Sequence, residues 1–312
     1  MGTERFLAHG RAMRALVDQV RRFADIESNV LISGETGTGK NAVARELHAR
    51  GPRARRPFVV VDCAALTTTL IDSELFGHER GAFTDAVAAR PGRFELASNG
   101  TVYLDAVTEL SIEAQGKLLR IVEEKRVERL GGQTSLAVPA RVVASADAGV
   151  EDAVREGRFR GDLFHRIGVL PIRIPPLRER PEDVAPLARH FLGRAAAAAS
   201  RVAPTIAPDV LGALRDYAWP GNVRELKHVV ERALAAVDRG GLTLRHLPQE
   251  ILEGAALKPD ALPGRRPTLD EVERRYIAAT LQHARGNQTK AAQLLGISRK
   301  ALWEKRKRYG LE

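Results

Sequence analysis

Apolar side chains at Met13, Leu16, Val17 and Val20 recur with the spacing of one helix face, so residues 10–24 are predicted to form an amphipathic helix. The next apolar run, residues 29–33, is short and unbroken, as in a buried strand, and leads into a glycine-rich turn. A helical segment from 41 to about 50 follows. The alternation continues with a strand at 58–61, an irregular region at 64–91, a strand at 101–104, a helix at 112–124 and a strand at 141–145. Strands alternating with helices predict an α/β architecture built on a parallel sheet covered on both faces. The proline-rich run 170–183 closes that region, and helical patterns dominate from 184 to 252, including the alanine-rich residues 195–199. Three prolines and two glycines between 254 and 267 mark a linker, and residues 268–311 read as a compact helical module.

Composition narrows the picture. The chain has 312 residues, enough for a full α/β domain plus one or two small ones. Its single cysteine, Cys63, excludes an internal disulfide framework and a CxxC metal site, and the apolar run around it predicts a buried structural thiol. No apolar run reaches the roughly twenty residues of a membrane span, and the N-terminus lacks the apolar core of a signal peptide. A cytoplasmic protein without a membrane segment is expected. The charge is uneven: from Arg265 to Glu312 there are twelve Lys/Arg against five Asp/Glu, so +7 of the net +10 lies in the last 48 residues. A basic C-terminal module on a near-neutral body points to nucleic acid.

Three segments carry candidate chemistry. Gly34, Glu35, Thr36, Gly37, Thr38, Gly39 and Lys40 spell the G-x-x-x-x-G-K of a P-loop between a predicted strand and a predicted helix. Its glycines let backbone N–H groups turn towards phosphates, the helix N-terminus adds positive potential, and Lys40 reaches the terminal phosphates. The residue after the lysine is Asn41 in place of the usual hydroxyl side chain. The strand Thr-Val-Tyr-Leu-Asp ends at Asp105, where a carboxylate would hold Mg²⁺ and its water. Second, Phe83 and Thr84 lie among small residues in a polar stretch, which predicts a protruding loop with an exposed apolar side chain. Third, residues 287–310 look like a helix-turn-helix. Ala291, Ala292, Leu294 and Leu295 are expected in its core, Gly296 in its turn and Ser298 as an N-cap. Ser298, Arg299, Lys300, Lys305, Arg306 and Arg308, with Lys307 beside them, are the expected DNA contacts, and Leu302 and Trp303 are expected to pack inside.

These motifs together resemble the bacterial enhancer-binding proteins, the AAA+ ATPases that activate sigma-54 RNA polymerase. The resemblance rests on ELFGHE and GAFTDA at 74–86, GRFRGDLFHR at 157–166, PPLRER at 175–180, WPGNVREL at 219–226 and a Fis-type C-terminus, and it spans nearly the whole chain. It implies an AAA+ P-loop parallel sheet at 1–175, a helical lid at 176–253, the linker at 254–267 and a small all-α DNA-binding domain at 268–312. It further implies ATP and Mg²⁺ as cofactors, enhancer DNA and sigma-54 RNA polymerase as partners, and a homo-oligomer that is hexameric or a similar ring, dimeric at rest. Phe83 and Thr84 would contact sigma-54, Arg160 and Arg166 would act as arginine fingers, and Arg224 would be the sensor II residue. The helix at about 269–283 would dimerise.

The sequence departs from the family pattern in four places. Ala106 stands where the family has the glutamate that activates the attacking water, Asp62 replaces an asparagine that contacts that glutamate, Asp147 replaces the sensor I asparagine, and Asp85 replaces a glycine in GAFTGA. Two explanations stay open at this point: Asp62 or Asp147 supplies a relocated carboxylate, or the site binds ATP and turns it over poorly. Glu109 is a weaker substitute. Losing a positioned base costs on the order of 10²–10⁴ in rate.

Overall fold

The computed structural model describes residues 7–65, 68–84, 86–237, 240–256, 268–284 and 287–311. They form two units, one of residues up to Leu187 together with Trp219–Leu226, the other of Ala188–Ala218 together with the chain from Lys227. Asp85 and residues 257–267, most of the expected linker, lie outside the described residues.

In the first unit, α1 (Arg11–Ala24) buries Met13, Leu16 and Val20 of the predicted stripe and Ala24 beyond it, while Val17 is half-buried. Next come β1 (Val30–Ser33), α2 (Lys40–Arg50) and β2 (Phe58–Asp62). The region expected to be irregular contains α3 (Thr68–Phe76), β3 (Gly77–His78) and β4 (Arg90–Pro91). Thus the start of ELFGHE ends a helix, and the described residues of 79–84 and 86–89 lie outside helix and strand. The pattern concealed α3 because its buried residues, Ile71, Leu75 and Phe76, are few and lie among polar side chains. The chain continues through α4 (Arg93–Ala97), β5 (Thr101–Asp105), α5 (Ile112–Glu124), β6 (Arg126–Glu128), β7 (Ser135–Ala137) and β8 (Arg141–Ala146). Ser111 caps α5 by accepting a hydrogen bond from Ala114 N at 3.2 Å. Then follow α6 (Val150–Arg155), α7 (Gly161–Ile167) and β9 (Leu170–Arg173). The proline-rich run therefore opens with a fifth strand, which its prolines masked. Pro171 is tolerated because β9 lies at the sheet edge.

The five long strands are parallel in the order β2-β5-β8-β1-β9. Successive residues alternate between two cores: Val102, Leu104, Val142, Ala144 and Leu31 pack on the side of α5 and α7, while Tyr103, Val143, Val30 and Ile32 pack on the side of α1 and α2. Register then decides what meets at the carboxyl edge. Asp62 pairs with Asp105, and Ser33 pairs with both Ala146 and Arg173. Gly34, Asp62, Asp105 and Asp147 consequently lie at the same edge, where open α/β sheets bind ligands.

The helices α8 (Val184–Ala198), α9 (Pro208–Asp216), α10 (Asn222–Ala236) and α11 (Gln249–Ala256) follow, α8 and α10 straddling the division between units. In the second unit α9 packs on α11, and Ile206 bridges to Leu242. Helix α11 runs to Ala256, past the expected start of the linker. Finally α12 (Leu269–His283), α13 (Gln288–Leu294) and α14 (Arg299–Tyr309) enclose a small core of Ile277, Ala284, Ala291, Ala292 and Leu302. Among the described residues no helix is long and apolar enough to cross a membrane.

Candidate functional site

The P-loop leaves β1 at Ser33 and enters α2 at Lys40, with Gly34, Gly37 and Gly39 at φ of 159°, 82° and 107°. Lys40 Nζ folds back over the turn, donating to Gly34 O at 2.6 Å and to Asp147 Oδ1 at 2.8 Å. Thr36 Oγ1 lies 3.4 Å from the same Asp147 oxygen, and Thr38 Oγ1 donates to Glu35 O at 2.7 Å. Asn41 Oδ1 accepts from Arg45 Nε at 3.0 Å, so this side chain turns along its own helix.

A second layer, whose role the sequence reading missed, fixes the loop. Asn222, fully buried, donates from Nδ2 to Glu35 Oε2 and to Thr36 O at 3.1 Å each and accepts at Oδ1 from Leu177 N at 2.7 Å. Glu35 accepts from both terminal guanidinium nitrogens of Arg178 at 2.8 and 2.6 Å, and these bonds, with that of Asn222, pull the pKa of its carboxyl from 4.5 to about 2. Buried Arg180 donates to Thr38 O at 2.9 Å. The N–H groups of Val223 and Arg224 both reach Gly37 O, at 3.0 and 3.2 Å. A Cβ on Gly37 would come within 2.3 Å of Gly221 O, so the P-loop sits directly on the Pro-Gly-Asn turn. PPLRER and WPGNVREL thus act as one brace for the glycine-rich loop. The Arg224 side chain itself is exposed.

Asp105 is held from two strands. Tyr103, two residues earlier on the same face of β5, donates from its hydroxyl to Oδ1 at 3.0 Å, and Ser145 on β8 donates to the same oxygen at 2.5 Å. Burial and the adjacent carboxylate raise the Tyr103 pKa, so its hydroxyl keeps the proton it donates. Ser145 Oγ also accepts from Ala106 N at 3.0 Å, and Ala106 is left-handed at φ 55°, ψ 53°. Asp62 turns back on its own turn, accepting from Ala64 N at 3.0 Å. The Cys63 thiol is buried and is pushed up to about 12 by desolvation and the negative charges of Asp62, Asp105 and Glu109, as befits an inert structural thiol.

Arg160 and Arg166 lie apart from these contacts, at the start and near the end of α7. Arg160 pairs with Asp162 at 2.8 Å and Arg166 approaches Glu123 at 3.6 Å. The segment entering α7 is pinned by buried Gln115, which accepts from Arg160 N at 2.9 Å and donates to Leu110 O and Arg158 O.

The Phe83 loop rises from β3 onto the turn joining β6 and β7. Glu79 N donates to Leu130 O, Leu130 N donates to Gly77 O, and Arg129 bridges Glu79 and Glu95 at 3.1 and 2.7 Å. Within the loop, Gly81 N donates to Ala86 O and Ala86 N donates to Phe83 O. Thr84 is exposed, but Phe83, expected to project freely, is half-buried edge-on against His78 with ring centroids 5.0 Å apart.

In the C-terminal module Ser298 caps α14, accepting from Ala301 N at 3.1 Å. Two packing expectations need revision here. Leu294 is 50% and Trp303 56% exposed, because Ala291, Ala292 and Leu302 already fill the small core. Lys307 lies over the Trp303 ring at 5.5 Å. Lys305 pairs with Glu273 at 2.5 Å and Arg308 with Asp270 at 2.9 Å, while Arg306 donates to Leu311 O at 3.0 Å. Lys305 and Arg308 thus pair with α12 and Arg306 closes the end of its own helix, whereas Arg299 and Lys300 at the start of α14 are exposed.

A braced P-loop at the carboxyl edge of a parallel sheet, with a strand-end aspartate, a helical unit and a basic helix-turn-helix, defines an AAA+ ATPase joined to a DNA-binding module. The chain matches the sigma-54 interaction domain at residues 6–173, the AAA+ ATPase lid domain at 178–262 and the bacterial regulatory protein, Fis family, at 268–309. It belongs to the sigma-54 activator family of transcriptional regulators. Transcriptional regulatory protein ZraR of Klebsiella oxytoca is 44% identical over 295 residues, covering 94% of this chain and 66% of its own length. Regulatory protein AtoC of Escherichia coli (strain K12) is 41% identical over 312 residues, covering 98% and 68%. The crystal structure of NtrX from Brucella abortus in complex with ADP superposes with a TM-score of 0.76 at 33% identity, covering 98% of this chain and 70% of that one. The complex of NtrX with ATP gives 0.75 at 33% identity, with the same coverage. The chain therefore spans about two thirds of these relatives, and 48% of the DNA-binding transcriptional activator HyfR of Escherichia coli.

Proposed function

We propose that the chain is an ATP-hydrolysing activator of sigma-54-dependent transcription that binds enhancer DNA and works as a ring on the closed promoter complex. The observation that carries this reading is the brace from Asn222, Arg178 and Arg180 to the P-loop, which holds phosphate-binding amides beside Lys40 while Tyr103 and Ser145 orient Asp105. Asp105 would hold Mg²⁺. A Mg²⁺ ion there would be shared among that carboxylate, phosphate oxygens and water. Such an ion supplies charge neutralisation for phosphoryl transfer. Arg160 and Arg166 would serve a neighbouring subunit's site, Arg224 would report phosphate state from α10, and Phe83 and Thr84 would grip sigma-54. Arg299 and Lys300, with Ser298 setting the helix start, are the foremost DNA contacts, and α12 is the proposed dimer contact. Nucleotide binding by NtrX, at 33% identity, supports ATP as the ligand.

A second reading, an ATP-binding DNA regulator with little turnover, has its own support. Ala106 carries no carboxylate, Asp62 Oδ1 is turned to Ala64 N and Asp147 Oδ1 to Lys40. ATP hydrolysis measured across protein concentrations, with Lys40→Ala as the blank, separates the two. Turnover above the blank that rises cooperatively is expected; binding of ATP with turnover at the blank level would leave the second reading.

A further inference from the structure

The phosphate-binding lysine already has an anion of its own. Lys40 is 11% exposed, and its ammonium lies 2.8 Å from Asp147 Oδ1, an oxygen that also sits 3.4 Å from Thr36 Oγ1. The pairing follows from register: Ser33 lies opposite Ala146 in the β1–β8 ladder, so the first residue beyond β8 stands beside the first residue of the P-loop. The other carboxylates at this edge are engaged elsewhere, Asp105 by Tyr103 and Ser145, Asp62 by Ala64 N. We propose that Asp147 is a built-in competitor for Lys40, a carboxylate that holds the lysine until a nucleotide's terminal phosphates displace it, and so sets how strongly the site distinguishes nucleotides by phosphate number. This rests on the reading that the P-loop takes ATP.

The physical argument has three parts. An ammonium has three donors, and Gly34 O and Asp147 Oδ1 take two of them, so one is left for a phosphate oxygen and a second phosphate contact must replace the carboxylate. A carboxylate left in place would stand against the phosphates' own negative charge, an unfavourable like-charge contact. Asp147 is 67% exposed, so it can swing into water and keep its hydration, which makes displacement cost the ion pair alone. An asparagine there would leave Lys40 without an anionic partner and remove the repulsion together.

The test is calorimetric binding of ATP, ADP and AMP to the full chain, with and without Mg²⁺, for the native sequence, Asp147→Asn, Lys40→Ala and the double variant. Asp147→Asn is expected to tighten ATP about tenfold, the size of ordinary coupling between contacting residues. ADP should gain less, and AMP, which lacks the phosphates Lys40 serves, should not change. In the Lys40→Ala background the gain should shrink to about twofold or less, since only screened repulsion remains. Unchanged or weaker ATP binding in Asp147→Asn overturns the proposal, and if turnover is lost at the same time, Asp147 is a hydrolytic carboxylate instead. If native and variant chains both melt cooperatively yet bind no nucleotide, the ATP reading itself falls, and the proposal with it.

Discussion

Ala106 decides most at the residue scale. It sits left-handed at φ 55°, with its N–H held by Ser145, one residue past the aspartate that Tyr103 and Ser145 orient. Its methyl group cannot take a proton from water. Replacing Ala106 by Glu should raise kcat on the order of 10²-fold, the lower end for restoring a positioned base; steady-state turnover at saturating ATP checks this, and an unchanged kcat would mean another carboxylate already serves. Glu35 predicts a pH effect. Its folded pKa of about 2 lies below the ordinary 4.5 because Arg178 and Asn222 hold the charged form, so its contribution to stability is complete above 4.5 and is lost as pH falls towards 2. Melting temperatures measured from neutral pH downwards should converge for the native chain and Glu35→Gln across that window. A gap that stays constant with pH would remove Glu35 as the source.

At the element scale, the P-loop depends on a turn more than 180 residues away in sequence, since Gly37 lies against Gly221. Gly37→Ala meets a backbone oxygen at 2.3 Å and must hold φ 82°, a conformation that alone costs about 1–3 kcal/mol in a non-glycine residue. Thermal melting should show that loss together with weakened nucleotide binding, whereas Gly39→Ala, with open space at its Cβ, should be milder. In α14 the cations divide by partner. Lys300→Ala should lower DNA affinity and reduce the salt slope of binding by about one. Lys305→Ala, losing its 2.5 Å pair with Glu273, should leave that slope nearly unchanged and lower the melting temperature of the full chain instead. Equal salt slopes for the two variants would erase the division.

At the scale of the whole molecule, the proposed ring gives Arg160 and Arg166 their role. Each faces a carboxylate of its own chain, Asp162 or Glu123, and neither shares a hydrogen bond with the P-loop. An arginine that serves a neighbour's phosphate requires subunits packed head to tail. Mixing Lys40→Ala and Arg160→Ala chains, each inactive alone, should therefore recover ATP hydrolysis, because mixed assemblies contain sites with an intact lysine on one side and an intact arginine on the other. Mixtures no more active than their components would sink the shared site.

Much of this was legible from residue order because local patterns report local geometry. The stripe Met13, Leu16 and Val20 made α1, the run at β1 and the glycines after it made the strand and P-loop, and Ser298 announced the start of α14. Even so, Leu294 and Trp303 were misjudged, since side-chain type does not tell how little core a three-helix module has to fill. The fifth strand was masked by its proline, which only an edge position makes acceptable. Contacts between distant segments were beyond any pattern along the chain: Asn222 on Glu35, Ser145 on Asp105, and Asp147 on Lys40. These depend on strand order and register, which bring residues separated by tens to nearly two hundred positions to one sheet edge. Short-range periodicity fixes which face a residue takes; only the assembled sheet and its braces settle which residue it meets there.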